Sequence, residues 1–267
     1  MKRPLLPWGG ETPQGDLPFH PANKNVLGEW TLTRLVVLPS LKRMFGGVYA
    51  HIDPATLSLR KSPPFPVIFC ATHSGWWDGH MAYVLNERVF KHDGYMMMEE
   101  VHLARYAFFT WGGVFGIDRH DARKAIASIE YITGVLKETP NSALWMFPQG
   151  TMTHPEVRPL NVYGGAANIA RRTGKCAIVP VALRYDFLME QAPDAFARLG
   201  PPISFEPGSV SSRELTARLT GAMTRTADEL RADVLAYDTS SYRRIIAGKG
   251  SINRLWDRVV KLVKRND

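Results

Sequence analysis

The chain has 267 residues, 45% of them hydrophobic and 22% charged, a balance typical of a globular protein and not of a disordered one. Its formal net charge of +8 suits an anionic partner, either nucleic acid or an acidic membrane surface. The first 25 residues lack the apolar core of a secretory signal peptide, and no stretch has the roughly 18 apolar residues of a spanning helix. Cys70 and Cys176 lie in apolar runs, which indicates buried thiols in a reducing compartment.

Residues 1–61 are predicted to form an extended start followed by a helical segment. Within residues 26–50, apolar side chains recur at roughly helical spacing, and Pro39 is expected to kink the segment into two short helices. Such a pair fits a bilayer surface with Trp30 at the level of the lipid headgroups. It fits equally a helical pair that covers one edge of the protein core, and the sequence leaves both interpretations open.

A short apolar run at residues 66–70 predicts a buried strand, and His73 and Asp78 follow it. On a continuous helix these two residues would lie about 140° apart, but a strand that ends in a turn can bring them together. A carboxylate that holds an imidazole makes a general base able to take a proton from a hydroxyl. The same pattern also fits a polar strand end and a helix cap. A metal site of His73, Asp78 and His80 lacks a further ligand cluster.

Apolar runs alternate with helical patterns along the rest of the chain. Strands are predicted at residues 94–98, 114–117, 143–147 and 176–183. Helices are predicted at residues 99–111 and 211–237, and a last strand at residues 205–207. This alternation predicts a single α/β domain over residues 62–240, with a largely parallel central sheet flanked by helices. Open sheets of this class bind ligands at the carboxyl ends of their strands, where the polar candidate residues fall.

Three basic residues, Arg119, Arg123 and Lys124, gather where a helix is predicted to begin. Cations are disfavoured beside the positive end of a helix dipole, and a bound anion would relieve this. Free amides of the first turn, together with a bidentate Arg119, make a phosphate site one interpretation. The alternative is a solvated basic face with Asp121 as the helix cap.

Residues 241–267 are predicted to form a basic amphipathic tail. Ile252, Leu255 and Val259 form an apolar stripe with Trp256, and lysine and arginine side chains cover the remaining surface. A helix of this kind suits the interface of an anionic membrane. Docking of the helix on the protein's own core is the alternative.

Four sequence blocks, in this order, resemble those of the glycerolipid acyltransferase family, which includes lysophosphatidate and glycerol-phosphate acyltransferases. The family's HxxxxD motif corresponds to residues 73–78, and its glycine- and phenylalanine-containing block, which ends in arginine, corresponds to residues 113–119. Its FPEGT block corresponds to residues 147–151, and its VPV-type strand to residues 179–183. Four blocks in register over residues 65–185 are far more specific than any one of them.

The resemblance implies an O-acyltransferase of phospholipid biosynthesis that moves a fatty acyl group from acyl-CoA or acyl-ACP to a lysophospholipid or glycerol-phosphate-type acceptor. His73 would deprotonate the acceptor hydroxyl, Asp78 would orient His73, and Arg119 would bind the acceptor's phosphate. The acceptor's polar end would meet a turn made of Gln149, Gly150 and Thr151. Neither a metal nor a cofactor beyond the thioester co-substrate is implied.

Gln149 stands where the family has glutamate, and Met152 replaces the usual basic residue after the FPEGT block. These departures leave open a non-phosphorylated acceptor, such as a glycolipid or a carotenoid glycoside. A non-catalytic lipid-binding protein and a hydrolase remain further alternatives, whereas nucleic-acid binding rests on charge alone and no such partner is expected. We expect a peripheral protein on the cytoplasmic face of an anionic membrane.

Overall fold

The computed structural model describes residues 17–61 and 63–249, which build an eight-stranded sheet with helices on both faces. The strands are β1 (Gly47–Ile52), β2 (Val67–Ala71), β3 (Asp93–Glu99), β4 (Val114–Ile117), β5 (Ser142–Met146), β6 (Ala177–Asp186), β7 (Asp194–Leu199) and β8 (Arg243–Ala247). The α-helices are α1 (Val26–Thr31), α2 (Leu38–Met44), α3 (Pro54–Leu57), α4 (Asp78–Leu85), α5 (Glu100–Arg105), α6 (Ala122–Glu138), α7 (Gly165–Thr173) and α8 (Ser212–Leu235).

The strand order in the sheet is β4-β3-β5-β2-β6-β7-β1-β8. The first five of these strands run parallel to one another, β7 turns back against β6, and β1 runs parallel to β7. The predicted α/β domain with a largely parallel sheet is therefore confirmed. The parallel strands all end at one edge of the sheet, so the loops after β2, β4 and β5 and the end of β6 meet there.

Strand β2 shows how the sequence divides the core into two layers. Val67 and Phe69 pack on the face covered by α2 and α4, while Ile68 and Cys70 pack on the face covered by α6, α7 and α8. This alternation follows from the two-residue period of a strand. All four side chains are fully buried, and burial of a side chain the size of Phe69 contributes about 1.5–3 kcal/mol to stability. The central strand thus fixes the position of the loop that follows it.

The N-terminal segment differs from the predicted pair of helices kinked at Pro39. Helix α1, a π-helical segment at Leu32–Val37 and α2 follow one another directly from residue 26 to residue 44. Pro39 is the second residue of α2, and because the helical segments are continuous, its missing N–H removes one backbone hydrogen bond of the helical run. Leu38 and Leu41 are buried in the core, so α2 covers the sheet, as one of the two interpretations proposes.

Several predicted boundaries are wrong. Residues 47–52, taken as the end of the helical segment, form β1; β7 and β8 were not predicted. Residues 205–207 form no strand, and residues 99–111 are divided between α5 and a 3₁₀ segment at Ala107–Gly112. Because β1 and β8 pair within the sheet, the sheet extends beyond the predicted limits 62–240. From residue 250 onward the predicted amphipathic tail lies outside the described residues.

Over residues 17–61 and 63–249, no helix is both long enough and apolar enough to cross a membrane. Helix α1 nevertheless carries exposed apolar side chains, with Val26 and Leu27 among the most exposed and Trp30 half exposed. Together with the π-helical Leu35, these residues form an exposed apolar face. We call this set, Val26, Leu27, Trp30 and Leu35, the α1 apolar face.

Candidate active site

The two residues of the candidate catalytic pair meet at the carboxyl end of β2. His73 lies in the loop after the strand, and Asp78 is the first residue of α4. The Nδ1 atom of His73 lies 2.8 Å from Oδ2 of Asp78. No side chain caps α4, so the alternative in which Asp78 serves only as a helix cap is wrong. The strand, turn and helix bring the two side chains together, as their spacing predicts.

Asp78 is fully buried, and four donors converge on its carboxylate. The main-chain N–H groups of Ser74 and Gly75 donate to Oδ2 at 2.7 and 2.9 Å, beside the imidazole of His73. The hydroxyl of Tyr185 donates to the other oxygen, Oδ1, at 2.6 Å. Donors of this kind replace the hydration that a carboxylate loses on burial. The loop and β6 together form a cradle for the carboxylate.

The loop after β5 holds the main chain of His73. Its N–H donates to Oε1 of Gln149 at 2.8 Å, and its carbonyl accepts from the N–H of Thr153 at 2.8 Å. The imidazole stacks on the ring of Phe147, with centroids 4.5 Å apart, and one fifth of the side chain remains exposed. Because Nδ1 is bound to Asp78, Nε2 is the nitrogen that can accept a proton.

Arg119 lies against the turn at Gly150. Gly150 has a φ of +68°, and a Cβ added there would lie 2.8 Å from Nη1 of Arg119 and 3.3 Å from the ring of Tyr163. The positive φ favours a glycine at this position. The other terminal nitrogen of Arg119, Nη2, donates to the carboxylate of Glu99 at 3.2 and 3.3 Å. Thr151, the next residue of the turn, is exposed.

The structure corrects one part of the predicted phosphate site. The start of α6 does not offer the expected free amides, because Asp121 caps the helix and accepts from the N–H groups of Lys124 and Arg123. These hydrogen bonds lower the pKa of Asp121. Lys124 also donates through Nζ to the carbonyl of Leu17 at 2.9 Å. Of the three basic residues, Arg119 is the one that the structure places at the Gly150 turn.

Gln149 lies deeper than an acceptor-binding residue would need to be. Its side chain is buried, and its carbonyl oxygen is occupied by the N–H of His73. We therefore interpret Gln149 as a support for the His73 loop. A carboxylate oxygen could accept the same N–H, so the replacement of the family's glutamate by Gln149 is compatible with an intact pair.

His80 is buried beside Trp76 and Trp77, with ring centroids 4.5 and 5.4 Å away. Burial lowers its pKa to about 4. In the part of the chain that the structure covers, no three His, Cys, Asp or Glu side chains are grouped so as to hold a metal ion. The two cysteines are free and buried, as expected, and burial raises the pKa of Cys176 to about 12.

Tyr185 is a site residue that the sequence did not reveal. It lies 107 residues from Asp78 in the chain, and the two meet only because β6 pairs with β2 in parallel, with Val181 opposite Ala71. The sequence shows a tyrosine just after the strand predicted at residues 176–183. It does not show which strand lies beside that one, so the contact of this tyrosine with Asp78 could not be predicted.

A His–Asp pair at the carboxyl edge of a parallel sheet, with an arginine at the neighbouring turn, is the arrangement that the sequence resemblance predicts for an acyltransferase. The acyltransferase family model matches residues 58–184. This range includes His73, Asp78, Arg119 and the turn at Gly150, and it confirms the predicted family for this part of the chain. Over residues 58–184, the chain therefore matches the acyltransferase family.

Comparison with known proteins adds little beyond this. No curated protein matches the chain significantly. Among solved structures, the chain is similar to the 1-acyl-sn-glycerophosphate (LPA) acyltransferase PlsC from Thermotoga maritima, with 17% sequence identity over 68% of this chain and 72% of that one and a TM-score of 0.48. At this identity the likeness does not bear on the substrate.

Proposed function

We propose that the protein transfers a fatty acyl group from an acyl thioester, acyl-CoA or acyl-ACP, to a hydroxyl of a lysophospholipid or glycerol-phosphate-type acceptor. The observation that carries the proposal is the contact of 2.8 Å between His73 Nδ1 and Asp78 Oδ2. This contact binds Nδ1 and leaves Nε2 of the partly exposed imidazole free to accept a proton, as a general base for a hydroxyl requires.

The reaction needs no covalent enzyme intermediate. His73 takes the proton of the acceptor hydroxyl on Nε2 while that oxygen attacks the thioester carbonyl carbon. Asp78 accepts the hydrogen bond of Nδ1–H, keeps the tautomer and stabilises the imidazolium as it forms. The C–S bond then breaks, and the leaving thiolate takes the proton back from Nε2. Holding the two substrates side by side supplies much of the remaining rate acceleration.

Arg119 supports an acceptor that carries a phosphate. Its guanidinium lies at the Gly150 turn, next in the chain to Gln149, which contacts the loop of His73. A guanidinium can bind two phosphate oxygens at once. In the structure, Arg119 forms an ion pair with Glu99, and each of the two side chains is about one third exposed or less. A phosphate would therefore compete with Glu99 for the guanidinium.

The substrates are tested directly by mass spectrometry. Purified protein is offered acyl-CoA or acyl-ACP with a panel of glycerol phosphate, lysophospholipids and lipid glycosides. We expect an acylated phosphate-bearing product that disappears in His73→Ala and persists in His51→Ala, a histidine on β1 bonded to Ser241. Free fatty acid formed without an acceptor would indicate a hydrolase, and acylated glycoside alone would exclude the phosphate-bearing acceptor. No turnover by the parent protein would refute the proposed reaction.

We also propose that the protein acts at the surface of an anionic membrane on its cytoplasmic side. The α1 apolar face supports this, because exposed apolar and tryptophan side chains favour the bilayer interface. It borders a cavity of about 440 Å³ whose lining includes Arg34 and Tyr83.

Vesicle sedimentation tests the membrane proposal. Trp30→Ser with Leu27→Ser should weaken binding to anionic vesicles, and added salt should weaken it further, because basic residues contribute about 1 kcal/mol each near such a surface. The control Leu235→Ser changes another exposed leucine, the last residue of α8. Equal sedimentation of both variants and the parent would refute a role for the α1 apolar face.

A further inference from the structure

Tyr185 contacts the candidate catalytic pair from the far side of the carboxylate. Its hydroxyl donates to Oδ1 of Asp78 at 2.6 Å, while His73, Ser74 and Gly75 all direct their N–H groups at Oδ2. The two oxygens therefore have separate partners. With Oδ1 bound, the carboxylate cannot rotate about its Cβ–Cγ bond without breaking a charge-assisted hydrogen bond.

The surroundings of Tyr185 keep its hydroxyl a donor. Burial and the charge of Asp78 raise the pKa of Tyr185 well above its ordinary value. Its ring stacks on Phe45, with centroids 5.4 Å apart and planes 25° apart, and it lies 3.5 Å from the Cβ position of Gly75. The ring thus packs against the end of α2 and the His73 loop at once, and the hydroxyl has little freedom to point elsewhere.

We propose that Tyr185 is a positioning residue for the acyl transfer: its hydroxyl holds Oδ1 of Asp78 so that Oδ2 stays aligned with Nδ1 of His73. This inference rests on the proposed function. Nothing in the four sequence blocks assigns a role to this position, which lies just beyond the VPV-type strand at residues 179–183. The hydroxyl of Tyr185 donates to Asp78, and Tyr185 acts through that carboxylate.

Tyr185→Phe isolates the hydroxyl, because phenylalanine keeps the ring that packs on Phe45. The variant loses one donor to Asp78 and leaves more negative charge on the carboxylate for the imidazolium of His73. We expect kcat to fall by about fivefold to tenfold, since the loss of a hydrogen bond to a charged group lowers a rate by about tenfold. The KM should stay within about twofold of the parent value. The acid limb of the pH profile of kcat/KM should move up by about half a pH unit.

Other charged or titratable groups lie on the elements around the pair, and Tyr185→Phe leaves them unchanged. They are His80 on α4, Arg184 on β6, Arg119 beside the Gly150 turn, and His154 and Arg158 in the loop after β5. His80 has a pKa lowered to about 4 by burial. Arg184 is bound by Glu156 and Asp186. A change in the profile therefore reports on the hydroxyl of Tyr185.

The control is Tyr242→Phe, which removes the hydroxyl of a buried tyrosine that donates to Asp233 on α8 at 2.8 Å. Its pH profile should superimpose on that of the parent. Thermal unfolding of both variants shows that the fold is retained. A Tyr185→Phe profile that superimposes on the parent's, whatever the change in rate, would overturn the proposal.

A second measurement does not depend on turnover. In protein with ¹⁵N-labelled histidine, the His73 resonances are identified by their loss in His73→Gln, and their titration midpoint is measured with and without the Tyr185 hydroxyl. We expect the midpoint to rise by about half a pH unit in Tyr185→Phe. An unchanged midpoint would overturn the inference. A midpoint that rises in Tyr185→Phe, together with a parent protein that transfers no acyl group, would instead refute the proposed function.

Discussion

Asp78→Asn removes the charge of the carboxylate and keeps its shape, and the structure predicts which way the new amide points. The N–H groups of Ser74 and Gly75 lie 2.7 and 2.9 Å from Oδ2, so an NH₂ group in that place would face two donors. A buried donor left without an acceptor costs roughly 1–3 kcal/mol. The amide oxygen therefore takes the Oδ2 position, and the NH₂ group faces the hydroxyl oxygen of Tyr185, which can accept from it.

With the oxygen in that position, His73 keeps its proton on Nδ1 and Nε2 remains the base. What is lost is the charge: hydrogen bonds to charged groups are worth about 1.5–3 kcal/mol against about 0.5–1.5 for neutral ones. The difference of roughly 1–2 kcal/mol corresponds to a fall in kcat/KM of about 5- to 30-fold. A flipped amide that donated to Nδ1 would fix the wrong tautomer and cost roughly 10⁴-fold.

The assay follows the thiol released from acyl-CoA with a thiol-reactive chromophore. The protein's own cysteines do not interfere, because Cys70 and Cys176 are buried. The comparison variant is Asp78→Ala, which removes the acceptor for all four donors and should be far slower than Asp78→Asn. If the two variants are equally slow, the amide has flipped and the reasoning from the converging N–H groups is wrong.

Arg119→Ala should raise the KM for a phosphate-bearing acceptor by about tenfold or more, since a charge-assisted bond is worth roughly 1.5–3 kcal/mol, and leave the thioester KM unchanged. Glu99→Gln should lower the acceptor KM by freeing the guanidinium, and unaltered acceptor kinetics in both variants would contradict the phosphate site. Gln149→Glu should keep kcat/KM within about threefold, because a carboxylate oxygen can accept the His73 N–H; a changed acceptor preference would instead place this side chain on the acceptor. The pKa of His80 is lowered from 6.5 to about 4 in the fold, so the unfolded chain binds the proton first and stability falls as the pH drops from 6.5 towards 4, by up to about 3 kcal/mol. Urea unfolding of His80→Leu should show a weaker fall over that range, and an identical fall would exclude His80 as its cause.

The part of the site that could be predicted from the sequence is local in the chain. His73 and Asp78 are five residues apart, and a strand followed by a turn suffices to join them. The turn at Gly150 is also a local feature, because a glycine directly after a predicted strand can supply the positive φ that the turn needs. Tyr185 could not be predicted, because its contact depends on the order and register of β2 and β6.

Strands β7 and β8 were not predicted for a different reason, which is their charged residues. Strand β7 begins with an aspartate and contains Arg198, and β8 begins with two arginines, so neither has the uninterrupted apolar run of β2. In the fold, Arg198 reaches Glu229 and Asp233 on α8, and its charge is satisfied by a helix far away in the sequence. Strand propensity and hydrophobic periodicity do not predict ion pairs of this kind, because they form only in the tertiary structure.

The main chain of His73 is bound on both sides by the loop after β5, through Gln149 and Thr153. Strands β2 and β5 run in register beneath these two loops, with Cys70 opposite Met146. A chain segment containing only the HxxxxD residues has nothing to hold the histidine in place. During refolding, acyl transfer should therefore return together with the cooperative formation of the central sheet and not with the earlier appearance of isolated helices, so that enzyme activity itself measures the completion of the tertiary fold.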